Sequence, residues 1–469
     1  SFMRDNEWVM SVLKKAINLK TATARIFILI LLFGAAMAAN AQTFELLHTF
    51  FDYINHDGTY LRARLVEGRD GNFYGSTLYG GSEGNRGILF KITPNGVFTT
   101  LVVLNDSTGW VEAEMVEGND GNFYGTSSLG GASDNGTVFR LTPDGIRTTL
   151  VSFSFTNGSV PEAGVIQARD GNFYGTTLYG GAHGDIYGTY GTVFKMTPNG
   201  SLTTMVSFAG TNGANPEGGL MQASDGNFYG TTRFGGDLRG DTSFGAGTVF
   251  KMTPAGLLTT LVIFNYTNGA SPFRRIIPAR DGYLYGGTSE GGLGHGTIFK
   301  TTTNGMLTTL VTFDGTNGAG SPQLIQSSDG NFYGASGGGT HNDGIIFRMT
   351  PEGQLTTLFS FDYLTTGSGL YPLVQGSDGN FYGTTGAGYG NYGSIFRIVM
   401  PGPQLNFART GNQLVLSWPT NAVGFTLQSI TNLTSTNWIS STNLPVILGG
   451  QYTVTNNLSS GSRFYRLKK

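Results

Sequence analysis

Glutamates cluster at one recurring place in this chain. Glu112 and Glu114, Glu162 and Glu217 each lie shortly ahead of a copy of the hexapeptide Asp-Gly-Asn-Phe-Tyr-Gly, and Arg62, Arg64, Arg274 and Arg275 stand in the same segment of the neighbouring repeats. Carboxylates gathered beside arginines could hold a cation or a polar ligand, and Glu162 with Glu217 could act as general acid and base. The same charges could instead compensate one another as a solvated rim. A second group is aromatic. Tyr79, Tyr179 and Phe234 each precede a Gly-Gly pair, the longest loops add Tyr187, Tyr190 and Phe244, and Trp110 stands just before the first glutamates. Rings exposed beside Asn and Asp suit stacking on sugars, with packing of long loops onto themselves as the alternative. The expected ligand-binding set is Glu112, Glu114, Glu162, Glu217, Tyr179 and Phe234, with Glu162 and Glu217 as the catalytic pair if the protein is an enzyme.

Other chemistries find little support. The five histidines, His48, His56, His183, His295 and His341, form no close pair and no HExxH, so no zinc site is expected. Calcium is left open, and no cofactor is indicated. With no cysteine, disulfides, thiolate sites and cysteine nucleophiles are excluded. The Gly-rich segments fall in turns and loops, not in the strand-to-helix setting that a nucleophile elbow or phosphate loop requires. Charged residues make up 12% of the chain and the net charge is −2, which argues against a nucleic-acid partner.

The elements that must position these residues follow from the repeat. The hexapeptide begins at Asp70, Asp120, Asp170, Asp225, Asp329 and Asp378, with a degenerate copy at Asp281. A recurrence of roughly 50 residues in a chain rich in Gly, Phe and Tyr fits one four-stranded propeller blade per repeat. Each unit reads as an apolar inner strand, an Asp-Gly hairpin, Asn-Phe-Tyr-Gly-Thr-Thr, a Gly-Gly loop, a third strand such as Gly191 to Lys195, a Pro-containing turn, and an outer Leu-Thr-Thr-Leu strand. After the last hexapeptide a third strand occurs at Ser394 to Val399 without a fourth. The missing copy stands at Phe44 to Phe50, so this strand is expected to close the ring and remove the free sheet edges. The repeated tyrosines are expected to pack between blades. The glycine after each is expected to let sheets approach, and Lys91, Arg140, Lys195, Lys251, Lys300, Arg348 and Arg397 to pair with the hairpin aspartates. Both variable loop sets emerge on one face, which is the expected binding face.

The ends differ from the repeats. Lys14, Lys15, Lys20 and Arg25 precede the apolar run Ile26 to Phe33, and Ala39-Asn40-Ala41 supplies a cleavage pattern. The expected organisation is a signal peptide at 1–41, an all-β seven-bladed β-propeller at 42–400, and a small β-sandwich at 401–469 with Trp418 and Trp438 in its core. No transmembrane segment is expected after signal cleavage.

The segments DGNFYGTT at 170–177 and GTVFKMTP at 191–198, with the LTTLVSF-like strands, resemble the GloVer-type tandem-repeat family over residues 44–400, and the last module resembles fibronectin type III-like domains. The resemblance implies bacterial export and surface or extracellular residence. It implies no activity, so it transfers no catalytic residue. The combined expectation is a monomeric secreted or cell-surface binding or adhesion protein for an extracellular glycan or surface ligand. The alternatives are a polysaccharide lyase or hydrolase and a structural surface-layer component.

Overall fold

The computed structural model describes residues 42–51, 57–81, 85–183, 190–237, 245–419, 425–431, 437–449, 451–457 and 463–468. The expected signal peptide, His56, Tyr187 and Phe244 lie outside them. Among the described residues no helix is long and apolar enough to cross a membrane, and the only helical element is the short 3₁₀ turn Phe155–Asn157. The described residues form two compact units, Phe44–Ile398 and the residues from Val399 onward.

The first unit is propeller-like and all-β. Its first sheet consists of Val66–Glu67, Phe73–Ser76, Ile88–Ile92 and Phe98–Val103, hydrogen-bonded in that order and antiparallel throughout. Sheets two to six repeat the arrangement over 116–152, 166–207, 220–263, 277–312 and 324–360. The seventh combines Val374–Gln375, Phe381–Ala387 and Ser394–Val399 with Thr43–Thr49 as its outer strand. The N-terminal strand therefore sits where its sequence placed it, and Glu45 accepts a 3.0 Å hydrogen bond from Arg397 Nε. An additional strand, Ser368–Leu370, which the repeat does not foreshadow, also pairs in this sheet.

The hexapeptide supplies the contacts between sheets. The tyrosine of each stacks on the first ring of the next: Tyr74 on Phe123, Tyr124 on Phe173, Tyr174 on Phe228, Tyr285 on Phe332 and Tyr333 on Phe381, at centroid separations of 4.0–4.4 Å. Tyr382 of the seventh sheet returns to Phe73 of the first at 4.0 Å. In the degenerate copy Leu284 replaces the ring, and Tyr229 packs in a cluster with it. A polar series runs alongside. The hairpin amides of Arg69, Asn119, Arg169, Arg280 and Ser377 each donate to a Glu or Gln side chain on the next inner strand. Pro278 occupies that inner-strand position in sheet five and can supply no such side chain.

Three expectations about the repeat are corrected. The Asp-Gly hairpin extends beyond the two residues that name it: Gly71 N–H donates to Gly68 O and Gly68 N–H to Asn72 O, with Gly71 at φ 75°. The hexapeptide glycine does not admit a neighbouring sheet. Gly175 faces Phe194 across its own sheet, and a Cβ there would come within 2.6 Å of the ring. The proposed set of seven ion pairs reduces, among the described residues, to Lys195–Asp170 at 3.1 Å and Lys251–Asp225 at 3.8 Å. Lys300 lies over Tyr283 instead, and Arg397 pairs with Glu45. What every hairpin aspartate does is accept the hydroxyl of its own tyrosine, from Asp225 with Tyr229 at 2.7 Å to Asp120 with Tyr124 at 2.9 Å.

The second unit has two sheets, one of Asn406–Thr410, Gln413–Pro419, Gln451–Asn457 and Val446–Leu448, the other of Ile439–Ser440, Thr426–Ile430 and Phe464–Lys468. Trp418, Leu416, Leu427 and Val454 form its core. Trp438 does not join them. It is half-exposed beneath the guanidinium of Arg466, 4.2 Å from the ring centre.

Candidate functional site: a charged cleft ahead of the inner strands

The uniform part of the repeat holds the variable part in place. In sheets one to four a hydroxyl near the end of the second strand donates to a carbonyl in the segment that enters the next sheet: Ser76 to Val111, Thr126 to Ala163, Thr176 to Pro216 and Thr231 to Arg274, at 2.8–3.3 Å. These carbonyls belong to or adjoin the charged residues singled out from the sequence. In the second sheet the entering segment alternates. Val111, Ala113 and Met115 are buried, which leaves Glu112 and Glu114 on the opposite side of the chain.

Glu112, Glu114, Glu162, Glu217, Arg62, Arg64, Arg274 and Arg275 all line one cleft of about 50 Å³, together with Phe273 and Gln323. Ion pairs join Arg62 to Glu112 at 3.0 Å and Arg275 to Glu114 at 3.1 Å. Glu217 pairs with Arg233 at 3.0 Å. Burial alone would raise Glu114, but the guanidinium groups of Arg275 and Arg64 outweigh it and keep the carboxyl below its ordinary value.

Glu162 differs from its neighbours. Among the described residues it has no ion pair or hydrogen-bond partner, and burial, followed by the charges of Glu112 and Glu217, pushes it up to about 7. The repeat explains why. The residue after the second-strand hydroxyl pair is Ser128 in sheet two, where it donates to Glu112 at 3.0 Å. In sheet four it is Arg233, which donates to Glu217. In sheet three the same position is Leu178, buried and unable to donate. A carboxyl whose proton is held near neutrality can give or take that proton at little cost.

The aromatic residues divide. Tyr179 is 37% exposed, and burial together with the charges of Glu162 and Glu217 raises its hydroxyl, so it belongs to the cleft's surroundings. Phe234 is half-buried with the Arg233 guanidinium 5.0 Å from its ring centre. Trp110 and Tyr79 are less available: they meet edge to face at 6.1 Å, and Arg86 covers Trp110 at 4.4 Å. The isolated bridges Thr59–Tyr79, Ser159–Tyr179 and Ala214–Phe234 tie the loops before the inner strands to the loops after the second strands, so both loop sets share a face.

Sequence reasoning missed Arg233, Gln323 and Phe273. A signal existed for Arg233, which stands where the first and third repeats carry Leu78 and Leu178. No group of three or more His, Asp or Glu residues arranged for a metal ion occurs among the described residues.

The chain matches the family model described as the Gloeobacter/Verrucomicrobia repeat over residues 34–244 and 238–413. No curated protein sequence matches it. Among solved structures it is similar to a puromycin hydrolase, with TM-score 0.48 and 13% identity over 81% of this chain and 61% of that one. A gluconolactonase from Xanthomonas campestris gives 0.40 and 13% over 78% and 93%. A luciferin-regenerating enzyme gives 0.40 and 13% over 76% and 95%.

Proposed function

The chain belongs to the Gloeobacter/Verrucomicrobia repeat family, and from that premise we propose that it is an exported bacterial protein that binds a hydroxyl-rich ligand, a glycan, at the charged cleft. In this reading the body is a monomeric seven-bladed β-propeller at 42–400, released from a signal peptide at 1–41. Residues 401–469 are a fibronectin type III-like module for attachment or spacing. The observation that carries the binding reading is the convergence of Glu112, Glu114, Glu162 and Glu217 on one cleft, with Tyr179 feeling the charges of two of them. Carboxylates accept hydrogen bonds from sugar hydroxyls, and an exposed ring covers the apolar face of a sugar. A glycan-array screen of the mature chain tests it. Retention of defined glycans that is lost in Tyr179→Ala supports it, and retention unchanged in variants of all four glutamates defeats it.

A second reading is favoured by one observation, the unpartnered Glu162 held at about 7. That is the protonation behaviour of a general acid or base, with Glu217 as its neighbour in a lyase or hydrolase. Product analysis on every glycan retained by the array separates the readings: intact ligand supports binding alone, shortened or unsaturated products support catalysis.

A further inference from the structure

The most enclosed part of the cleft carries too much positive charge for the carboxylates present. Arg64, Arg274 and Arg275 meet there, and Glu114 is the one carboxylate that pairs with any of them within 4 Å among the described residues. Arg64 and Arg274 have no ion pair and no side-chain hydrogen bond among the described residues, and Arg64 Nε is shut away from solvent without a partner. Gln323 is 4% exposed, lines the same cleft, and its Nε2 also lacks a partner. Counted back from Phe73, Phe123, Phe173, Phe228 and Leu284, Arg274 takes the place filled by Ala63, Ala113, Ala163 and Gly218 in the first four sheets. A long cation thus stands where the first four sheets keep a small residue, sheets six and seven carrying Pro322 and Tyr371 there, and its stacking on Phe273, at 5.1 Å, neutralises no charge.

Buried donors left unpaired are costly, and a recessed guanidinium without a counter-charge more so. An oxyanion seated on Arg64, Arg274 and Gln323 removes both costs at once, because guanidinium groups present paired N–H donors matched to carboxylate geometry. Volume sets the size of what enters. About 50 Å³ admits roughly three or four water-sized groups, which suits a carboxylate and excludes a sugar ring. The ring would stay at the mouth beside Glu162, Glu217 and Tyr179. Burial also works to lower the guanidinium of Arg274, and burial with Arg275 that of Arg64, so an arriving anion would favour the charged form of each.

We propose that the cleft is an acidic-sugar site, in which Arg64, Arg274 and Gln323 take the carboxylate of a uronic-acid-type ligand whose hydroxyls meet the glutamates. This rests on the reading of the cleft as a glycan site. The test separates the two claims by titrating the full mature chain calorimetrically with oligogalacturonate and with its methyl ester. In parallel, thermal unfolding is followed against sodium malonate and sodium sulfate at constant ionic strength. The expected result is at least tenfold tighter binding of the acid than of the ester. Arg274→Gln should erase that preference while keeping the affinity for the ester. Saturable stabilisation by malonate or sulfate, absent from Arg274→Gln, supports the anion site even where neither saccharide binds, an outcome that removes the glycan reading alone. Equal affinity for acid and ester overturns the proposal, as does absence of both an acid preference and saturable stabilisation. If Arg274→Gln does not fold, Gln323→Leu serves in its place and should weaken acid binding selectively.

Discussion

The ring of Tyr382 lies 4.0 Å, centroid to centroid, from that of Phe73, joining the last sheet of the repeat unit to the first. Ser377 on the same hairpin donates its amide to Glu67 at 2.8 Å, so the junction repeats both the aromatic and the polar contacts made between sequential sheets. Removing one of these rings opens a cavity in a fully buried position, Phe73 being 1% exposed. Phe73→Ala should therefore cost about 3–5 kcal/mol, measured by urea unfolding of the chain. Deletion of Thr43–Thr49 should cost at least as much, because it also bares the edge of Ser394–Val399. A loss no larger than that of an exposed substitution would show that the junction is not part of the cooperative unit.

The hexapeptide glycine answers to its own sheet. Because a Cβ at Gly175 would meet Phe194 Cζ at 2.6 Å, Gly175→Ala should destabilise by about 1–3 kcal/mol through forced displacement of the ring. The double variant with Phe194→Leu should recover part of that loss. Full additivity of the two changes would rule out the contact as the cause.

The hairpin aspartates and their tyrosines make stability fall at both ends of the pH range. Burial would raise Asp170, but hydrogen bonds from Asn172, Lys195 and Tyr174 overcome it and hold the carboxyl at about 2. A carboxyl depressed by folding contributes fully above its unfolded value near 4 and loses that contribution as pH falls toward 2. For Tyr124, burial and the bond to Asp120 push the hydroxyl up to about 12. That contribution is complete below its unfolded value near 10 and is lost as pH rises through 12. Asp170→Asn should flatten the acid limb of a melting-temperature profile and leave the alkaline limb of the other repeats in place. An unchanged acid limb would mean that other carboxylates control it.

The period, the strand order within each sheet and the closing N-terminal strand were legible because a residue type that returns in every repeat has one packing role, which the spacing exposes. The cleft-lining glutamates were legible for the opposite reason, as charges that break the repeat. Partner choice within a repeat was not legible. Lys195 reaches Asp170 while Arg397 turns to Glu45, and nothing in the spacing distinguishes two long cations at equivalent positions. Arg233 was hidden because its significance depends on which carboxylate the fold brings opposite it. Trp438 was misplaced because a tryptophan in a strand-like run satisfies a core pattern and a surface stack on Arg466 equally well.

On the binding reading, Tyr179→Ala should weaken glycan retention about five- to fiftyfold, the scale of losing one stacking face. With Tyr179 37% exposed, against 1% for Phe73, the melting temperature should fall far less than in Phe73→Ala. Lost affinity accompanied by a large drop in melting temperature would assign the ring to loop packing instead.

Leu178 leaves Glu162 without the donor that the neighbouring glutamates have, and exchanging it tests the reading of the cleft. Ser128 and Arg233, its counterparts in the adjacent sheets, each donate to the glutamate beside them, whereas Leu178 cannot. With its folded value raised to about 7 from an unfolded value near 4.5, Glu162 contributes its full share below pH 4.5 and loses it as pH climbs through 7. The wild-type chain should accordingly lose roughly 2 kcal/mol between pH 4 and pH 8 from this group, allowing for partial solvent access. Glu162→Gln should remove that loss, since no charge then forms. Leu178→Arg should remove it differently, by giving the carboxylate the partner that Glu217 already has, and should return Glu162 to the ordinary carboxylate range. Carbon-13 chemical shifts of the labelled carboxyl follow this directly, and they report on the group itself even if stability is dominated by other residues. Under the catalytic reading both variants abolish turnover, Glu162→Gln by removing the titrating group and Leu178→Arg by fixing it in the charged form. A Glu162 that titrates near 7 in both the wild type and Leu178→Arg would show that burial alone sets its proton, and that the repeat position of Leu178 has no part in it.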